Sequence, residues 1–221
     1  MTTPTGATRT LSEHESKVLL ARHGVPLLPE RVTADPDGAA GAATELGFPV
    51  AAKLGGDRIA HKTERGLVRL GLDDADAVRA AATELLAAAR PDDGEVHVLV
   101  APMVRGHREL IAGLATDPQF GLTVMVGVGG ILAEAVADVA IRLVPIERVD
   151  ALEMLEELST QRLLGELRGE PPVDREQVAD VLLGLSRAGI DEPDLVSADL
   201  NPLIVVDGAP IAVDALVEVR A

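Results

Sequence analysis

The stretch Phe48–Leu72, FPVAAKLGGDRIAHKTERGLVRLGL, decides how this chain is read. It opens as an apolar run, Pro49-Val50-Ala51-Ala52, that delivers Lys53. It passes Gly55-Gly56, reaches His61-Lys62, turns at Gly66 and leaves as an alternating strand with Val68, Leu70 and Leu72 on one side. Of the 20 lysines and arginines in the chain, only Lys17, Lys53 and Lys62 are lysines. Lysine is a compact charge on a flexible stem, whereas arginine is a rigid fork. A chain biased to arginine that keeps two lysines here points to contact with a polyphosphate; two solvated lysines are the plainer alternative. His61 adds to the reading. A cation beside an imidazole favours the neutral ring near pH 7, and a neutral imidazole can be phosphorylated transiently. The other histidines, His14, His23, His97 and His107, have no zinc-site spacing.

The bulk numbers bound the rest. A length of 221 residues fits one large domain or two small ones, and 47% hydrophobic content supports a sizeable core. Phe48 and Phe120 are the only aromatic residues, so that core is Leu, Val, Ile and Ala. Base stacking on aromatic rings is therefore unavailable, and a net charge of -16 repels a nucleic-acid backbone. No nucleic-acid partner is expected. The chain has no cysteine, which excludes disulfides and thiol chemistry and fits a cytoplasmic location. The opening MTTPTGATRT lacks the apolar core of a signal peptide, and no apolar run approaches a membrane span.

Strands and helices mix irregularly and antiparallel pairs are prominent, which argues α+β. A break near Gly94 divides the chain into a flexible tail (1–10), a smaller lobe (11–94) and a larger lobe (95–221). Ser12 with Glu15 reads as a capping box opening a helix whose stripe is Val18, Leu19 and Leu20. Helices are expected over Asp35–Leu46, Asp73–Ala89, Val149–Leu158 and Asp174–Arg187. Val96–Val104 reads as a strand, with Glu109–Ala115 as its antiparallel partner. Asp207-Gly208 is the strongest hairpin signal.

Two further constellations could carry chemistry. Asn201, in Asp199-Leu200-Asn201-Pro202-Leu203, and Asp214, in Val213-Asp214-Ala215, stand on opposite arms of that hairpin. An amide oxygen and a carboxylate facing one cavity make a partial Mg²⁺ site, and a carboxylate on an apolar strand needs a partner. A hairpin with its polar residues in water is the alternative. The second is Gly127-Val128-Gly129-Gly130 followed by Glu134, Asp138 and Arg142. Glycines permit close backbone approach to a phosphate or to a neighbouring strand, and Arg142 on an apolar strand wants an anion.

In combination these pieces resemble a known family. LSEHESKVLLARHGVPLLPE, GFPVAAKL, IAHKTERGLV, VLVAPMVRGHREL, ATDPQFG, MVGVGGILAEAVADVAIRLVPI, LLGELRGEPPVD, DLNPLIV and AVDALVEV, from about Leu11 to Val219, look like the ATP-grasp (beta) subunit of ADP-forming acyl-CoA synthetases. The beta subunit of succinyl-CoA synthetase is a more distant likeness. The resemblance implies an ATP-grasp fold of two α+β lobes, with ATP or ADP and Mg²⁺ as ligands. It implies phosphate contacts from Lys53, Lys62 and Arg142, a ribose or hinge contact from Glu109, and metal ligation by Asn201 and Asp214. His61 would relay a phosphoryl group. The partner would be a CoA-binding alpha subunit, in a heterotetramer, with its own phosphohistidine. The reaction implied is acyl-CoA + ADP + phosphate ⇌ acid + CoA + ATP.

The sequence departs from the family pattern in places. Arg65-Gly66 stands where two glycines are usual, Gly56-Asp57-Arg58 where Ser-Pro-Asp is, Ala101 where a glutamine is common, and Ser197 where an acid is. These departures suit a second reading, a regulatory or degenerate nucleotide-binding module without turnover.

Overall fold

A computed structural model describes residues 7–56, 59, 65–130 and 137–221. The described chain is α+β and forms two compact units, one of Met1–Leu27 with Arg105–Ala221 and one of Leu28–Val104.

The second unit is a four-stranded antiparallel sheet backed by two helices. Its strands are β2 (Arg31–Thr33), β3 (Val50–Gly56), β4 (Val68–Leu72) and β5 (Val96–Pro102), in the order β2-β5-β3-β4. Helix α2 (Pro36–Leu46) starts on Asp35, whose carboxylate accepts from the Gly38 N–H at 2.8 Å, with Pro36 in the first turn. Helix α3 (Ala75–Ala87) starts on Asp74 in the same way, from the Ala77 N–H at 2.8 Å. Alanines on α2 let it pack closely, and Ala39, Ala43, Val50, Ala52, Leu54, Val78, Leu85, Val98 and Val100 form the core. The break expected at Gly94 falls inside this unit. β5 pairs with β3 from Val50↔Pro102 to Gly56↔Val96, so cutting at Gly94 would strip the sheet of its central pair. The alternation expected for β4 also differs: Leu67 is buried just before the strand, while Leu70 is 64% exposed.

Arg65 and Asp93 close this unit at one end. The Arg65 guanidinium donates two bonds to Asp93, at 2.7 and 2.9 Å, and the Arg90 N–H adds a third at 2.7 Å. The Arg65 fork, with the Arg90 N–H, lowers the Asp93 carboxyl from 3.8 to about 2. A carboxylate with a depressed folded-state pKa stabilises fully above its unfolded value and loses that contribution as pH falls through the folded one. Asp93→Asn is therefore expected to flatten the acid limb of melting temperature against pH between about 4 and 2. Parallel wild-type and variant curves in that window would contradict the assignment.

The first unit is a seven-stranded sheet with strands β1 (Thr8–Thr10), β6 (Arg108–Asp117), β7 (Gly121–Val128), β8 (Val139–Leu143), β9 (Leu195–Val206), β10 (Ala209–Ala212) and β11 (Leu216–Arg220). The order is β1-β11-β9-β6-β7-β8, with β10 also paired to β9. Thr8–Thr10, expected in a loose tail, pair with Glu218–Arg220, as β-branched threonines suit an edge. Asp207 and Gly208 both take positive φ, 51° and 88°, which a tight two-residue hairpin demands. β6 is not the partner of β5. Both edges of β5 are taken by β2 and β3, and β6 pairs with β7 and β9.

Helices α1 (Glu13–Arg22), α4 (Arg148–Glu157), α5 (Gln161–Leu164) and α6 (Arg175–Asp191) cover one face of this sheet. Ser12 and Glu15 form the expected capping box. The buried stripe of α1 is instead Glu13, Ser16, Lys17 and Leu20, while Val18 is exposed. Lys17 and Glu13 neutralise each other at 3.1 Å, and the Ser16 hydroxyl accepts from the Val217 N–H at 3.1 Å. Polar pairing thus lets charged residues occupy core positions. Helix α6 carries the core with Val178, Val181, Leu182 and Leu185. No helix among the described residues is long and apolar enough to cross a membrane.

Candidate functional site

Strand alternation assigns the site residues of the first unit to faces. On β6, Arg108, Leu110 and Ala112 are buried, Leu110 and Ala112 in the helix-side core, so Glu109 stands on the opposite face. Cross-strand register lines up Ile141, Met125, Gly113, Asp199 and Leu216 in one row of that opposite face. Gly113 keeps the row low: a Cβ there would lie 3.2 Å from the Ala198 carbonyl and 3.5 Å from Met125. The face therefore joins an apolar half, with Met125 and an exposed Ile141, to a carboxylate half at Asp199.

The two ends of the hairpin meet beside that carboxylate. The Val213 N–H donates to the Pro202 carbonyl at 3.1 Å, one residue beyond the Ala212↔Leu203 pair. β11 then rejoins β9 at Leu216↔Asp199. Asp199 is an exposed residue whose carboxyl is partly desolvated by the protein around it. Burial raises its carboxyl pKa, and the neighbouring Asp214 charge raises it further. Two neighbouring carboxylates are a pair of oxygen donors that suits a hard divalent cation. The structure thus places Asp214 near Asp199, which was quoted in the motif but not assigned, while Asn201 is exposed two residues along β9 from Asp199. The signal of Asp199, an acid two residues before Asn201, acquires meaning only through the β9–β11 register.

Arg142 is elsewhere. It pairs with Val124 and alternates with buried Ala140, so it lies on the helix-covered face. There it forks onto Glu157 of α4, with one bond at 3.0 Å and a shorter one to the second oxygen. The pair raises the Arg142 pKa and lowers that of Glu157. Arg142 and Glu109 thus stand on opposite faces of one sheet, and this geometry does not direct Arg142 at the same ligand as Asp199. The anion that Arg142 needs is supplied by the fold itself.

The glycine segment is explained by backbone approach. A Cβ on Gly127 would lie 2.7 Å from Val139 and 2.9 Å from the Asp138 carbonyl, and one on Gly129 would lie 3.1 Å from the β6 backbone. The Gly129 N–H donates to the Glu109 carbonyl at 2.8 Å. The Glu109 carboxylate reaches to within 3.7 Å of where a Gly130 Cβ would stand. Asp138 receives the Ser159 and Thr160 N–H groups at 2.9 and 2.8 Å and, with the Thr160 hydroxyl, is held below the usual carboxylate range. Glu134 lies outside the described residues.

In the second unit Lys53 lies at the centre of β3, between Leu99 and Val68. Its neighbours Ala52 and Leu54 belong to the core, so Lys53 projects from the face turned away from α2 and α3. Gly55 shares that face because the His97 ring occupies the space of a side chain, 2.2 Å from a Cβ there. His61 and Lys62 lie outside the described residues. Of the departures, Arg65 is engaged by Asp93, Ala101 packs in the sheet opposite Ala51, and the Ser197 hydroxyl donates to Glu218 at 3.2 Å.

Comparison with known proteins decides the family. A family profile described as an ATP-grasp domain matches residues 4–219. The chain belongs to the ATP-grasp family. This ATP-grasp chain is 35% identical over 210 residues to subunit beta of the ADP-forming acetate–CoA ligase I of Pyrococcus furiosus, covering 94% of this chain and 90% of that one. Among solved structures it is similar to acetyl-coenzyme A synthetase 1 of Ca. Korarchaeum cryptofilum in complex with coenzyme A and Ca-AMPCP. There the TM-score is 0.89 and the identity 34%, over 96% of this chain and 94% of that one. A second structure of that synthetase holds coenzyme A and Mg-AMPPCP, with its phosphohistidine segment pointing towards the nucleotide site; it matches with a TM-score of 0.83, 34% identity, and 96% and 93% coverage. The fold expected from the resemblance, ATP-grasp on an α+β frame, is the fold found.

Proposed function

We propose that this ATP-grasp chain is the nucleotide-binding subunit of a cytoplasmic, NDP-forming acyl-CoA synthetase. It moves a phosphoryl group between ATP and His61 in the reaction acyl-CoA + ADP + phosphate ⇌ acid + CoA + ATP. The observation that carries this is the nearness of Asp199 and Asp214 at the end of an apolar row, in a chain similar over nearly its whole length to beta subunits of ADP-forming ligases. The apolar row with Met125 and Ile141 suits a nucleobase, and Glu109 suits a ribose hydroxyl. Asp199, Asp214 and Asn201 would hold Mg²⁺, which when bound neutralises charge on phosphate oxygens. Lys53 and Lys62 supply the local cationic focus that a chain of net charge -16 needs to bind an anion. His61 attacks the γ-phosphorus through a neutral ring nitrogen; the N–P bond forms as the bond to the β,γ-bridging oxygen breaks, releasing ADP. A CoA-binding alpha subunit, forming a heterotetramer with this chain, takes the phosphoryl group on and provides the acyl chemistry.

The test is calorimetry of ATP with and without Mg²⁺, on wild type and Asp199→Asn. Binding is expected to need Mg²⁺ and to weaken about tenfold or more in the variant, because one charge facing the cation is gone. The variant without ligand is expected to melt higher at neutral pH. A carboxylate whose folded-state pKa is raised costs stability once pH exceeds that pKa, and the amide removes this cost. Mg²⁺-independent ATP binding, equal in both proteins, would remove Asp199 from the site.

A further inference from the structure

Gly55 lies inside β3, where a residue without a side chain weakens a strand and marks the close approach of another group. That group is the His97 ring. Gly55 pairs with His97 across the sheet. A Cβ on Gly55 would stand 2.7 Å from His97 Cδ2 and 3.0 Å from Cε1, and closer still to Nε2. The ring therefore reaches over β3 with Nε2 foremost. On its other side a cavity lies between His97 and the end of β2, lined by Val32, Thr33 and Ala34, with Glu95 also on its wall. A ring placed only to bury itself would fill that space. Lys53 pairs with Leu99, two residues along β5 from His97, so Lys53 and His97 are diagonal neighbours. Such neighbours stand about 7–8 Å apart on one face, within reach of long side chains. Both side chains are half-buried on the face turned away from α2 and α3.

We propose that His97 is a further phosphate-binding residue on the face of Lys53, donating a ring N–H to oxygens of the polyphosphate. The inference deepens the functional reading above and rests on it, because there Lys53 meets that polyphosphate. An imidazole donates an N–H in both its neutral and its charged form. Hydrogen bonds to an ionised acceptor are the stronger kind. Lysine supplies charge on a flexible stem, and the ring adds a donor whose place is set by the gap that Gly55 leaves. Charge selects the side on which the anion sits. The exposed Glu95 carboxylate lines the cavity behind the ring and repels a phosphate there, whereas the β3 side carries the Lys53 ammonium.

The experiment is calorimetry of ATP with Mg²⁺ on the full chain, comparing wild type, His97→Ala, His97→Gln, Gly55→Ala and the double variant Gly55→Ala with His97→Ala. His97→Ala is expected to weaken ATP binding about fivefold or more. His97→Gln keeps an N–H donor at a similar reach and is expected to recover part of the loss. Gly55→Ala pushes the ring from its place, so it is expected to weaken ATP binding too, and to add nothing once His97 is alanine. Inorganic tripolyphosphate, competing with ATP, is expected to lose affinity by a similar factor in His97→Ala. If Gly55→Ala does not fold, the His97 variants carry the comparison. ATP affinity of His97→Ala within about twofold of wild type, glutamine no better than alanine, or unchanged competition by tripolyphosphate overturns the inference and leaves the functional reading standing. A wild-type chain that binds no ATP overturns both.

Discussion

His61→Ala is expected to abolish turnover of acyl-CoA, ADP and phosphate, by at least about 10³-fold, when the chain is assayed with a CoA-binding partner. A nucleophile that forms the covalent intermediate has no substitute in the site, so its loss removes the route itself. Among the histidines, His61 alone has a lysine beside it in the sequence. The residues proposed above to bind the nucleotide are left unchanged by this substitution. ATP affinity by calorimetry is therefore expected to stay within about twofold. A variant that keeps wild-type turnover would show that His61 is not the relay, and one that loses ATP binding in proportion would assign it to binding.

The second large effect concerns stability. Arg108 is 3% exposed and receives four kinds of support: Glu170 at 3.2 Å, and the carbonyls of Gly165, Pro171 and Leu163 at 2.9, 2.6 and 3.5 Å. It is the residue that folds the segment from Leu163 to Pro171 back against the start of β6. His107 on the exposed side hydrogen-bonds the other Glu170 oxygen, and with Arg108 holds that carboxyl below its usual range. Removing the guanidinium leaves a carboxylate and several carbonyls without their donor around a buried position, which costs more than the loss of a surface ion pair. Arg108→Ala is thus expected to lower the melting temperature of the first unit by roughly 10 °C or more. A melting curve within a degree or two of wild type would show that water replaces the arginine at no cost.

Local chemistry was readable from the sequence, and non-local register was not. The Ser12–Glu15 capping box, the helix start at Asp35 and the Asp207-Gly208 hairpin depend on residues three or fewer apart, and each stands as read. The partner of β6 depends on which edges of β5 are already filled, which involves β2, more than 60 residues earlier in the chain. The α1 stripe was misread because Glu13 and Lys17 bury as a pair, and hydropathy counts each as a surface residue. The site divides in the same way. Asn201 and Asp214 were picked out because they stand on the two arms of one hairpin. Asp199 was not assigned because its neighbour Asp214 reaches it only through β11. The resemblance implied a phosphate contact for Arg142, while its place on an apolar strand called only for an anion; Glu157, on a helix whose approach the sequence does not announce, pairs with it.

The most direct measurement is transfer of label from γ-labelled ATP, in Mg²⁺, to the chain alone and with a CoA-binding subunit. The account predicts acid-labile, base-stable phosphate on His61, or on a histidine of the CoA-binding subunit only when this chain is present. ATP bound with no label on protein under either condition would contradict phosphoryl transfer and turn the chain into a nucleotide-binding module without turnover.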